Sequence, residues 1–352
     1  MTVFPSWRRT PHSIAATVAA LACLAAFHAV AASAAPSVTP PYQLSVFAQS
    51  ANGYSQPDSI VQFGDSIIVG FQNHVAKDGS DGKSSTIVQF ALNGRVQRTF
   101  SVPGHNDGLR VIGANELWAL QNEDANPNLV VIDLNTGRQT LYTFPASTTP
   151  HGGGFDDIVE LHGDVYFTAS NPGTDSNGVN IFPALVRARL HSRHSNTVDV
   201  EPVMFGNSHA VDIPTGATVQ LNLSDPDSMT VDPRGNIVFT SQADGLLIFV
   251  RDPLTSNQVV GRLPITAGGS ATTLDDTAFV PSGAAYMLFS DVAGDTIYRL
   301  DSGSFGFSPG IPYSGSDTTG VLGVLSLDTG VVTPIGTGFK SVRGIVFVTP
   351  AD

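Results

Sequence analysis

The sequence predicts an all-β chain arranged as a β-propeller, and three observations carry that prediction. Apolar stretches after residue 34 are four to seven residues long, rich in Val, Ile, Phe and Thr, and none keeps a helical period. An acidic residue that opens one such stretch is followed fifteen positions later by an amide or acid that closes the next: Asp58 with Asn73, Asp107 with Asn122, Asp156 with Asn171, Asp227 with Gln242, and Asp276 with Asp291. The opening acids stand 49, 49, 71 and 49 residues apart. A period near 50 with several strands per copy marks a ring of small sheets that must cover one another's apolar faces.

Taken in order, the N-terminus reads as an export signal. Arg8 and Arg9 supply positive charge, residues 14–30 are apolar, and Ala32-Ser33-Ala34 offers a small-residue cleavage site. Residues 1–34 are therefore expected to be a signal peptide, and residues 35–352 one propeller domain, secreted or periplasmic, with no membrane span after cleavage. Cys23 is the only cysteine, which leaves that domain without disulfides, a thiol nucleophile or a cysteine metal site.

Each repeat then reads as four strands, A to D. In the first copy residues 60–63 lead through Gly64-Asp65 into residues 67–71, and similar turns recur at Gly113-Ala114-Asn115, Gly163-Asp164, residues 232–235 and Pro281-Ser282-Gly283. A strand out and a strand back return both polar residues of a pair to one edge. The C-to-D turns at Leu92-Asn93-Gly94 and residues 134–137 and 327–330 join the A-to-B turns on the other face. Insertions at residues 170–182 and 206–221 lengthen the third copy on the polar side.

Residues 42–48 resemble an outermost D strand and residues 342–348 an innermost A strand, so the two ends are expected to share a blade. The ring then has six blades, the last irregular and closed by the N-terminal strand, with five blades as the alternative. Residues 295–336 hold two candidate C strands, and no room remains for a B strand after Val348.

The chain has 17 basic and 30 acidic residues. Residues 1–34 contain two of the basic ones and no acid, and 17 less those two leaves 15 against 30. That balance argues against nucleic acid and anionic membranes as partners. A small polar molecule or a protein remains, met by a monomer.

Strand A lines the central channel of a propeller, so Asp58, Asp107, Asp156, Asp227 and Asp276 should ring one mouth of it, with Asp275 fitting the pattern as well as Asp276. Asn73, Asn122, Asn171, Gln242 and Asp291 should lie slightly further out, as candidate ligand-binding positions. Crowded carboxylates repel, and a bound divalent cation, an arginine or protonation relieves them. Oxygen ligands suit Ca²⁺ or another hard divalent ion, which makes Asp58, Asp227, Asp275, Asp276 and Asp291 the candidate metal ligands. Arg343 holds the equivalent place in the last repeat as an internal counter-charge. An Asp before a strand also caps turns, and the recurrence is equally compatible with that structural role. His105 and His151 each precede a ring acid and His74 follows Asn73, so all three should face the mouth. There His105 and His151 are candidates for a general base or a metal ligand, as well as for ordinary solvated loop histidines.

Residues 225–240, with Asp225-Pro226-Asp227 ahead of Asp232-Pro233-Arg234-Gly235-Asn236, resemble a repeat of the NHL and SMP-30/gluconolactonase-like propellers, as do residues 286–291 and 295–300. In the lactonase branch a Glu, an Asn and an Asp from different blades hold one divalent metal. Asp291 looks like the Asp of that set; its Asn is matched only by Asp227 or Asp275 and its Glu only by Asp58, two departures that put lactonase activity in doubt. The expected function is an exported propeller that binds a small polar ligand or a protein through its acidic face. The alternatives implied by the resemblance are a metal-dependent lactone or ester hydrolase and, behind it, a lyase of the streptogramin-inactivating type.

Overall fold

The computed structural model describes residues 35–191 and 195–350; the export signal expected in residues 1–34 lies outside them. Strand pairing sorts the chain into four-stranded antiparallel units. The first is Pro57–Phe63, Ser66–Phe71, Ser84–Ala91 and Val96–Pro103. The second is Asn106–Ile112, Glu116–Gln121, Asn128–Asp133 and Gln139–Thr143, and the third Phe155–Leu161, Asp164–Ala169, Pro183–His191 and Thr197–Phe205. A single parallel pair, Thr143 with Thr197, links those two at their outer edges. The fourth runs Pro226–Val231, Ile237–Ser241, Leu246–Arg251 and Val259–Pro264, with the hairpin of His209–Asp212 and Thr218–Gln220 added outside. The insertion at residues 206–221 thus widens a sheet edge instead of decorating the polar face.

The last two units are interleaved. Thr277–Phe279 pairs with Pro312–Gly315, followed by Leu322–Leu325 and Val331–Thr337. Tyr286–Asp291 and Thr296–Asp301 leave that unit and insert between Val342–Val348 and the N-terminal strand Gln43–Gln49. The shared blade of the two chain ends therefore exists, and its middle strands come from within the preceding repeat. This corrects the fifth hairpin: Asp276 and Asp291 belong to different units. The strand from residues 286–291 pairs antiparallel with Val342–Val348 and fills the second place of that unit.

Innermost strands Pro57–Phe63, Asn106–Ile112, Phe155–Leu161, Pro226–Val231, Thr277–Phe279 and Val342–Val348 neighbour one another in turn, and the last lies beside the first. The circuit is closed, in agreement with the propeller expectation. One apolar cluster fills each interface between adjacent units, for example Val61, Ile68 and Phe100 against Leu109, Leu117 and Ile132, or Val69, Phe71 and Phe90 against Tyr286, Leu288 and Val348. Both faces of each sheet are buried, which is why the strands are apolar at consecutive positions.

Candidate functional site

Four of the innermost strands that open on a repeat acid break register at that acid. Pro57 faces Phe71 and Ile60 faces Val69, so Asp58 and Ser59 share one partner, and the same skip occurs between Asn106 and Leu109, Phe155 and Ile158, and Pro226 and Met229. A bulge of this kind re-aims a side chain that strict alternation would bury in the sheet stack. Here it turns Asp58, Asp107, Asp156 and Asp227 into the channel, where with Asp275, Arg343 and Glu123 they line a cavity of about 360 Å³.

The second bulge residue serves the ring itself. Asp157 accepts a hydrogen bond from Met229 N at 2.8 Å in the next innermost strand, and Asp276 accepts one from Ile345 N at 2.5 Å. Gly108 and Gly344 occupy the same register, where a Cβ would meet Asp156 O at 2.4 Å and Asp58 O at 2.1 Å. Asp276 is thus a clamp between units, and Asp275 is the ring acid of its repeat.

Two charge clusters share the mouth. In one, Arg343 lies among Asp58 at 3.5 Å, Asp275 at 3.4 Å and Asp317 at 3.7 Å, and Gln242 Nε2 donates to Asp275 at 3.0 Å. Burial opposes the Arg343 charge, but Asp275, Asp58 and Asp227 hold its pKa well above the ordinary value. Burial first, then like charges, push Asp227 and Asp275 well above the usual carboxylate range, and Asp58 is raised too.

The other cluster is built on the second unit. His105 Nδ1 meets Val75 O at 2.7 Å, which assigns the proton to that nitrogen and directs Nε2 toward Asp107 Oδ1 at 3.2 Å. Glu123 contacts the Lys77 ammonium. Gln72 Nε2 donates both to Asp58 and, at 3.1 Å, to Asp107, tying the two clusters together. Burial works against the charge on His105, yet the charge and hydrogen bond of Asp107 bring it up to about 9. Burial and the Glu123 charge raise Asp107 to about 6. Burial also opposes the charge on Glu123, but a hydrogen bond from Asp156 and the Lys77 charge lower it to about 2. Burial and the neighbouring Asp227 and Glu123 charges drive Asp156 well above the usual carboxylate range, opposite to the shift of Glu123.

One donor atom from each of His105, Asp107 and Glu123 lies within 4.8 Å of the others, and all three residues are buried. His105 Nε2 faces Asp107 Oδ1 at 3.2 Å and Glu123 Oε1 is in contact with the Lys77 ammonium, while Asp107 Oδ2 has no hydrogen-bond partner. Buried polar atoms are rarely left so, and an imidazole pinned through its other nitrogen is the usual form of a metal-ligating histidine. The residues present fit a divalent cation.

The remaining sequence candidates fall elsewhere. Asn73, Asn122 and Asn171 have positive φ and spend their side chains on loop backbone: Asn73 Oδ1 accepts from Ser55 N at 2.9 Å, Asn122 Oδ1 accepts from His105 N at 2.9 Å, and Asn171 Nδ2 donates to Asp124 O at 3.2 Å. Asp291 accepts from Gly294 N, Lys340 N and Ser341 N at 2.9–3.2 Å. His151 meets Gly154 O at 2.8 Å, and burial lowers its pKa. His74 is exposed. Gln72, Lys77, Glu123 and Asp317 were not legible as site residues. Gln72 and Glu123 flank repeat amides by one position, which is the only signal that would have found them.

No family model matches this chain, and no curated protein matches it in sequence. Among solved structures it is similar to virginiamycin B lyase from Staphylococcus aureus, with 13% identity over 74% of this chain and 99% of that one and a TM-score of 0.45. It is similar to a putative gluconolactonase at 11% identity, over 86% and 83% of the two chains, and to a streptogramin B lyase at 16%, over 82% and 85%, each again with a TM-score of 0.45.

Proposed function

We propose that this chain is an exported, monomeric propeller that holds a divalent cation on His105, Asp107 and Glu123 and, at that centre, binds a small polar ligand bearing oxygen donors. The supporting observation is the convergence of one buried ligand atom from each of His105, Asp107 and Glu123, with the imidazole oriented through its other nitrogen. The imidazole moves the expected ion from Ca²⁺, which favours all-oxygen sites, toward Mn²⁺ or Zn²⁺. Arg343, Gln242 and the ring carboxylates would then contact the ligand across the mouth.

A second reading, hydrolysis of a lactone or ester, draws its support from Asp156. Its carboxyl lines the same cavity as Glu123 and is raised well above the usual carboxylate range by burial and the Asp227 and Glu123 charges, which favours its acid form. A bound ion would supply Lewis acidity toward a carbonyl oxygen. As water adds to the acyl carbon and the acyl–oxygen bond breaks, Asp156 would give its proton to the departing alkoxide oxygen. One of the two water protons would restore Asp156 and the other leave to solvent, and Arg343 would offset the charge of the carboxylate product.

Elemental analysis and thermal shift of the purified protein test the common premise. Mn²⁺ or Zn²⁺ should raise Tm, EDTA should reverse the rise, and His105→Ala or Glu123→Gln should abolish it. A protein that carries no divalent ion and shows no shift with any of them removes both readings.

A further inference from the structure

We propose that Lys77 is the resident counter-ion of the His105–Asp107–Glu123 centre, displaced when a divalent cation binds, and therefore the residue that sets the affinity of the site. The proposal rests on the metal-centre reading and adds a role that the ligand set does not contain. Lys77 Nζ touches Glu123 Oε1, a carboxylate oxygen of one of the three residues whose ligand atoms converge. An ammonium and a metal ion cannot both occupy that side of one oxygen.

Exposure is lopsided across the pair. The Lys77 side chain is 50% exposed and that of Glu123 7%, so the carboxylate is fixed while the ammonium has a free path to water. The Lys77 backbone is anchored, because Asp124 N donates to Lys77 O at 3.2 Å and the adjoining loop is closed by Val75 N to Gln72 O at 3.0 Å and Ala76 N to Asp81 at 3.1 Å. Only the side chain needs to swing. No other acid pairs with it among the described residues, so leaving Glu123 breaks one contact.

The physical reason for such an arrangement is the cost of bare buried charge. A carboxylate taken from water without a partner is strongly destabilising, and Glu123 is needed in its ionised form to act as a ligand. Lys77 covers it with one positive charge while the ion is absent. A divalent ion brings two charges to the same place and meets His105 and Asp107 as well, so it wins the competition at a reduced net affinity.

Titration calorimetry with Mn²⁺ and Zn²⁺ on wild type, Lys77→Met, Lys77→Arg and His105→Ala, paired with acetic anhydride labelling read by mass spectrometry, tests this. A half-exposed ion pair is worth up to about fivefold in a competing equilibrium, so K77M should bind about three- to fivefold more tightly than wild type and K77R, which keeps the charge, close to wild type. Labelling of Lys77 should rise on adding Mn²⁺, with Lys83 and Lys340 unchanged. Equal or weaker binding by K77M, or unchanged Lys77 labelling in protein that binds the ion, overturns the counter-ion role while His105→Ala still reports a real centre. Failure of wild type and K77M alike to bind either ion removes the centre and this role together.

Discussion

Two buried aspartates with the same sequence signature have opposite energetics, and the difference is the number of donors each meets. Asp291 accepts from three backbone N–H groups and is a fastener for residues 340–341 against the turn at Gly294. Asp291→Ala strands those donors and should lower stability by about 2–3 kcal/mol in urea denaturation, with divalent-ion affinity unchanged. Asp227 meets only the backbone and hydroxyl of its neighbour Ser228 and lies among like charges. Asp227→Asn should therefore raise Tm at pH 8 by about 2–4 °C, the behaviour of a residue kept for binding at the expense of stability.

At the scale of the strand, the bulge explains why acids recur where they do. In four innermost strands one extra residue at the entrance turns a carboxylate into the channel and presents the next side chain to the neighbouring unit, and Asp275 and Asp276 ahead of Thr277–Phe279 divide the same two tasks. Where that next residue is Asp276, it bonds the backbone of Val342–Val348, the strand that closes the ring. Asp276→Ala should cost about 1–3 kcal/mol and speed amide exchange in Val342–Val348 first, whereas Ser228→Ala at the same register position should leave that strand unchanged. The repeat pattern made the strands, their turns and the polar edge legible in the sequence. It did not separate Asp275 from Asp276, because adjacent positions in a bulge share no fixed alternation. Nor did it show that Asn73, Asn122 and Asn171 are turn residues: an amide that faces a ligand and one that secures a left-handed turn read alike in one sequence.

For the whole molecule, the channel makes stability depend on pH in a direction unlike that of most acidic proteins. Asp107 at about 6 and Asp276 at about 7 are raised above their unfolded values, so the advantage of their protonated forms is present at low pH and is lost as pH rises through 6–7. His105 at about 9 contributes stability that is complete below about 6.5 and disappears as pH rises through 9. Glu123 at about 2 has the opposite sign: its contribution is present above about 4.3 and is lost on acidification toward 2. Tm should therefore peak at about pH 4, where Glu123 is ionised and the raised aspartates still hold their protons, and fall toward pH 9, measured by calorimetry. A saturating divalent ion should flatten the alkaline fall, because it replaces the proton at the same carboxylates.

Local chemistry was sufficient for part of this protein. Apolar runs of strand length, turns at fixed offsets and a period near 50 fixed an all-β ring with a carboxylate-lined mouth, because those properties depend on residues close together in the chain. Even the sharing of one unit by residues 42–48 and 342–348 could be read there, from a strand of outermost type at one end of the chain and one of innermost type at the other. Tertiary structure alone decided which strands fill the middle of that last unit, since pairing across residues 286–348 competes with an equally plausible local hairpin. It also decided the site. His105, Asp107, Glu123 and Lys77 come together through a bulge and two loops of different repeats, and which buried donors are left unpartnered is a property of the packed ring, where desolvation gives a missing partner its cost.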